Sequence, residues 1–224
     1  MFREISLLIK KDLLLEWRMR YAIGGIVLYV VATVFVIYII LSSEKATELV
    51  SYRWWSVLFW ITMLFTAVNA IAKSFTQENK ERLLYYYTLV RPQSVILSKM
   101  LYNMLLMLLL SVIGMVVFSL MLGTPVKNYP LFLLALLFGG SGLSFVLTLV
   151  SSIAAKADGN ATLMAILSLP VMLPLIMVLQ QFAGNAFFIN IQLADVLKEV
   201  AALAAFDVLL VAMSCILFPY LWRD

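Results

Sequence analysis

Apolar residues fall in six long runs, at 23–41, 54–72, 101–122, 130–153, 162–182 and 200–221. Each run is 19 residues or longer and apolar on every side, whereas a helix needs about 20 such residues to cross the hydrocarbon core of a bilayer. The strands of a membrane barrel would instead read as segments of about 10 residues with alternating character. Of the 28 charged residues only Asp207 lies inside a run. The pattern predicts an all-α integral membrane protein of six transmembrane helices, folded as one permease domain over residues 1–224. The first run is too long for the apolar region of a cleavable signal, and no small-x-small cleavage site follows it convincingly.

Two segments outside the runs are patterned in their own right. In 2–18, Phe2, Ile5, Leu8, Ile9, Leu13 and Trp17 recur at three- and four-residue spacing, opposite Glu4, Lys11 and Arg18. This is an amphipathic helix suited to the membrane interface, either a plain topology anchor or an elbow bracing the first span, and the two roles are compatible. In the long segment 73–99, Ser74 and Gln77 form a capping box, and Glu78 and Glu81 sit in the first turn, where the helix dipole favours them. Glu78 and Arg82 are spaced i,i+4, and Leu83, Tyr86, Tyr87 and Val90 make an apolar stripe that Pro92 ends. A short helix with one apolar face has to pack on something: the inner ends of this chain's own spans, or a partner into which it docks as a coupling helix. In the docking reading Glu78, Glu81, Arg82, Leu83 and Tyr86 make the contact. Residues 194–200 suggest a third, brief interfacial helix.

Lysine and arginine are biased to one side. Twelve of the sixteen lie in the N-terminal segment, the second and fourth loops and the C-terminal tail, so both termini are expected in the cytoplasm. Trp54, Trp55 and Trp60 cluster near the outer end of the second run, with Trp17 and Trp222 at the inner side, as aromatic belts at headgroup depth would.

Composition narrows the chemistry. The chain is 64% hydrophobic and 12% charged, with no histidine and one cysteine, Cys215. Ser-His-Asp hydrolysis, His-ligated zinc, bis-His haem ligation and a disulfide framework are therefore outside the reach of this chain alone. No G-x-x-x-x-G-K-[ST] occurs, so ATP hydrolysis by a P-loop would have to come from another subunit. No metal site, catalytic group or nucleic-acid surface is expected.

Inside the runs three features stand out. Gly139, Gly140, Gly142 and Ser144 are small residues that let helix backbones approach closely. Pro170 and Pro174, at i,i+4, remove two backbone donors and bend the fifth span, as a hinge or simply to fit the bundle. Asp207 is the one intramembrane carboxylate, read either as a structural group hydrogen-bonded in the bundle or as a substrate or partner contact.

The local sequences carry a resemblance. The runs Phe75-Thr-Gln-Glu-Asn-Lys-Glu-Arg-Leu-Leu and Val90-Arg-Pro-Gln-Ser-Val-Ile-Leu-Ser-Lys99 resemble the cytoplasmic loop of the CcmB family, the permease of the cytochrome c maturation (haem exporter) ABC system. Leu137-Phe-Gly-Gly-Ser-Gly-Leu-Ser-Phe145 and Ser168-Leu-Pro-Val-Met-Leu-Pro-Leu-Ile176 are similar to that family's fourth and fifth spans, and Lys10-Lys-Asp-Leu-Leu-Leu-Glu-Trp-Arg18 to its basic start. The likeness covers most of residues 1–180; Asp207 matches no family motif.

The resemblance implies an ABC-2-like, non-catalytic subunit of the bacterial cytoplasmic (inner) membrane. It would work with a CcmA-like ATPase, CcmC-like and CcmD-like membrane subunits and a CcmE-like haem chaperone. ATP would act through the partner, and haem would be a cargo of the complex and not a cofactor bound directly by this chain. A homodimer, or pairing with a related subunit, is expected by the same analogy. Two alternatives remain: an ABC-2 permease exporting a drug, lipid or polysaccharide, and a secondary transporter working without ATPase.

Overall fold

The computed structural model of the protein describes residues 2–18, 20–43, 52–71, 90–156, 161–188 and 193–223. Every regular element among them is an α-helix: α1 (Phe2–Arg18), α2 (Arg20–Ser43), α3 (Tyr52–Ile71), α4 (Pro92–Leu122), α5 (Tyr129–Lys156), α6 (Ala161–Asn185) and α7 (Leu193–Arg223). Helices α2 to α7 each contain a stretch long and apolar enough to cross a membrane. The helical state follows from the solvent: in hydrocarbon an unsatisfied N–H or C=O costs several kcal/mol, and a helix pairs these groups within itself.

Two helices outrun the spans read from sequence. Helix α4 starts at Pro92, where a missing N–H costs nothing and the fixed φ suits the first turn. It continues through Ser94, Val95, Ile96, Ser98, Lys99 and Met100, all buried. The expected brief helix at 194–200 merges with the sixth span into α7, because no breaker intervenes before Pro219. At 31 residues each, α4 and α7 are roughly 46 Å long, well beyond a hydrocarbon core of about 30 Å.

Helix α5 is the axis of the bundle. Every residue from 139 to 152 is buried, and α5 packs against α3, α4, α6 and α7. Helix α4 is the second hub, touching α1, α2, α3, α5 and α7. Facing seams show the three-four spacing of knobs-into-holes packing: Met164, Ser168, Met172, Leu175, Leu179 and Phe182 on α6, and Leu203, Leu210, Ser214 and Phe218 on α7. Helix α2 is peripheral, with only Val30 and Val34 buried among its described side chains. Its exposed Leu28, Phe35, Val36 and Ile40 are what a lipid-facing span requires.

The end of the bundle away from α1 is closed by aromatics. Trp55 stacks on Phe59 at 5.4 Å between centroids and meets Phe118 and Phe132 edge-on. Its indole N–H donates to the Gly123 carbonyl at 3.0 Å. The belt read from sequence is thereby corrected: Trp55 and Trp60 are core residues at 1% and 2% exposure, and Trp54 alone of the three lies at the surface. A span's outer end hosts a belt only on its lipid-facing side, and two of these rings turn inward.

Candidate functional site

The three glycines and one serine singled out in the fourth span lie where α5 meets four neighbours. A Cβ at Gly139 would collide with the Trp60 ring of α3, and Leu179 of α6 stands 3.0 Å away. At Gly140 a Cβ would approach Leu108 of α4 at 3.2 Å. At Gly142 it would meet Leu175 of α6 at 2.8 Å and the Asp207 carboxylate of α7 at 3.3 Å. Three glycines within four positions thus face three directions around the helix, which is why one short run serves contacts with α3, α4, α6 and α7. Gly114 of α4 plays the same part against Met63 and Phe59 of α3. It was missed in the sequence because it stands alone, with no small partner four residues away.

Polar bonds cross the same contacts. Asp207 occupies the inward seam of α7, four residues after Leu203 and three before Leu210. The Ser141 hydroxyl lies 2.5 Å from Asp207 Oδ2 and 3.2 Å from the Phe138 carbonyl. Its single proton can serve one of the two, and the shorter contact is the one across to α7. Asp207 Oδ1 is buried without a hydrogen-bond partner. One turn pair further along, the Asn103 amide of α4 donates to Thr148 Oγ1 at 2.8 Å; Thr148 in turn donates to the Ser144 carbonyl at 2.6 Å. Ser144 is fully buried and bonds back to the Ser141 carbonyl at 2.9 Å. Asn103 is the residue sequence reasoning passed over; a lone amide within the apolar run 101–122 was the available signal.

A second constellation joins α1 to the start of α4. Asp12 and Lys99 form an ion pair at 3.4 Å with both side chains under 10% exposed, and Lys11 reaches the same carboxylate at 3.0 Å. The Ser94 hydroxyl donates to Glu4 Oε2 at 2.8 Å. That bond, helped by nearby positive charge including Arg91 and opposed by burial, holds the Glu4 carboxyl below its usual range. Leu7, Leu13 and Leu14 point away from the protein. The inward face of α1 is therefore mixed: Ile5 is buried and Leu8 packs on the core beside Asp12, while Arg3 and Lys10 are exposed together with those three leucines. Leucine gains nothing by leaving lipid for protein, whereas a charged group at that depth needs a partner.

Helix α6 runs unbroken through Pro170 and Pro174, both on its exposed face opposite the buried seam. Glu78, Glu81, Arg82, Leu83 and Tyr86 lie outside the described residues. The structure thus brings Gly139, Gly140, Gly142, Ser144 and Asp207 together on α5 and its neighbours, and leaves the prolines apart from them. Among the described residues no three His, Cys, Asp or Glu side chains gather as metal ligands would. What the assembled groups do is fix the mutual placement of α4, α5 and α7. A protein-family model described as CcmB protein matches residues 3–220. No curated protein matches the chain.

Proposed function

The chain belongs to the CcmB family, and from that premise we propose that it couples ATP hydrolysis by a separate ATPase subunit to haem delivery or haem-chaperone release in cytochrome c maturation. Membership makes it a multi-pass membrane subunit of the cytochrome c maturation ABC system; the coupling role is our reading. The family match across 3–220 is the observation that carries it, supported by the absence of any P-loop in the chain.

In this reading both termini face the cytoplasm, and a CcmA-like ATPase docks on segment 73–99 through Glu78, Glu81, Arg82, Leu83 and Tyr86. That segment runs into α4 at Pro92, so displacement at the dock is handed to a helix clamped to α1 at its base and bonded to α5 by Asn103. Pro170 and Pro174 give α6 a place to bend, since each proline removes one backbone bond. CcmC-like and CcmD-like subunits complete the complex in the inner membrane, and a CcmE-like chaperone receives haem outside it. Haem is cargo of the assembly, and the chain acts in pairs with itself or a related subunit.

The test is a mild-detergent pull-down of tagged protein with mass spectrometry and a haem absorbance spectrum. Recovery of an ABC ATPase together with a haem chaperone is the expected result. A protein that purifies alone and transports under an ion gradient without ATP would overturn the proposal.

A further inference from the structure

Helix α1 is held on one side only. Its two described acidic side chains are both engaged with α4: Glu4 accepts the Ser94 hydroxyl at 2.8 Å, and Asp12 pairs with Lys99 at 3.4 Å. The opposite side carries a stripe at i, i+4, i+7 and i+11 spacing, made of Arg3, Leu7, Lys10 and Leu14, all exposed, with Leu13 exposed beside them. Among the described residues neither Arg3 nor Lys10 meets a carboxylate within 4 Å. The outward stripe thus alternates cation and leucine, and the acidic groups that could neutralise it are engaged behind it. Such a surface matches neither bulk water nor pure hydrocarbon.

The neighbouring surfaces say what it faces. On α4 the exposed side chains just before the α1 contact are Arg91 and Gln93, and those after it are Leu101, Leu105 and Leu109, one per turn. Ser94 and Lys99, which hold α1, lie between the two sets. The exterior of the protein therefore changes from polar to apolar at the level of α1. Helix α2 starts two residues after α1 ends, and its exposed Leu28, Phe35, Val36 and Ile40 continue the apolar side. At such a boundary leucines reach acyl chains, while long basic side chains carry their charge out to the phosphates. We propose that the outward stripe of α1 binds the surface of an anionic phospholipid leaflet, with Arg3 and Lys10 on the headgroups and Leu7 and Leu14 at the acyl boundary. The uncompensated positive charge of the stripe favours an anionic leaflet over a zwitterionic one. An acidic protein surface would satisfy the cations but not the leucines, which are continuous with the exposed apolar rows of α4 and α2. The site is independent of the haem-related function proposed above.

The full chain is placed in nanodiscs of phosphatidylcholine, alone or mixed with phosphatidylglycerol, and hydrogen exchange is followed across Phe2–Arg18. Unfolding of α1 lifts the stripe off the leaflet, so phosphatidylglycerol should slow exchange by roughly fivefold for each cation engaged. Added salt should reverse the slowing. Arg3→Gln with Lys10→Gln should remove the gain from phosphatidylglycerol and leave exchange in phosphatidylcholine unchanged. Leu7→Ser with Leu14→Ser should speed exchange in both lipids. Equal exchange of the wild type in the two discs, or a gain that survives Arg3→Gln with Lys10→Gln, would overturn the proposal. Slowing that requires a co-purified subunit and is the same in both lipids would assign the stripe to a protein partner and overturn the lipid assignment.

Discussion

At the scale of single residues, the centre of the bundle depends on atoms that are missing. Gly139 has no Cβ because Trp60 occupies its place, so Gly139→Ala forces a buried indole to move and should cost about 1–3 kcal/mol, read as a lower melting temperature in detergent. Gly24, with nothing within 4 Å of its would-be Cβ, is the matched control and should tolerate alanine. Asp207 makes the complementary case. Ser141→Ala leaves a buried carboxylate with neither oxygen bonded and should destabilise by about 2 kcal/mol, while Ser141→Ala with Asp207→Leu should recover most of that loss. If the single and double variants melt alike, the pair does not hold α5 to α7. The glycine cluster could be picked out in the sequence because small residues in an apolar run have few other uses. Which neighbour each glycine admits could not, since that depends on how α3, α4, α6 and α7 are arranged around α5. Asp207 was visible as a charge in an apolar run, but a run apolar on every side did not show that Leu203 and Leu210, and Asp207 between them, face inward.

At the scale of elements, α1 gives the clearest contrast between pattern and outcome. Its periodicity marked an amphipathic helix, and the structure has that helix over Phe2–Arg18. The pattern alone does not say whether water, lipid or protein lies on each side; the structure buries Ile5 of the apolar set together with Asp12 and leaves Leu13 exposed. Buried charges now hold α1 on α4, so Asp12→Asn, which removes the carboxylate from both Lys99 and Lys11, should destabilise the contact by about 3 kcal/mol, and Lys99→Met, which leaves Asp12 paired with Lys11, should cost less. The double variant Asp12→Leu with Lys99→Met should be close to wild type. Hydrogen exchange across residues 2–18 reads both. Glu4 adds a pH dependence of known sign. Its carboxyl is held below the ordinary value of 4.5 when bonded to Ser94, so the bond favours docking above about pH 4.5 and is lost as pH falls through the lowered value. Exchange of α1, corrected for intrinsic rate, should therefore rise below pH 4.5 in wild type, and Ser94→Ala should remove that step.

At the scale of the whole molecule, the apolar runs gave the number and order of spans because hydrocarbon leaves a chain few other options. They did not give the ends of α4 and α7, which extend past the bilayer where hydropathy no longer constrains them. Those extensions matter to coupling. Helix α4 begins within segment 73–99, at Pro92, and its first turns bear both Ser94 and Lys99, the residues that hold α1. A force applied at the segment therefore meets the α1 clamp before it reaches Asn103 and Thr148 in the bundle. This ordering separates docking from transmission. Charge reversal at Glu81→Lys with Arg82→Glu should abolish co-purification of the ATPase while leaving membrane insertion and melting temperature unchanged. The neutral clamp variant, Asp12→Leu with Lys99→Met, should keep the ATPase bound yet lower cytochrome c maturation, because the dock remains while its connection to α1 is weakened. Maturation at wild-type levels in the clamp variant, with the ATPase still bound, would mean that movement at segment 73–99 reaches the bundle without passing through α1.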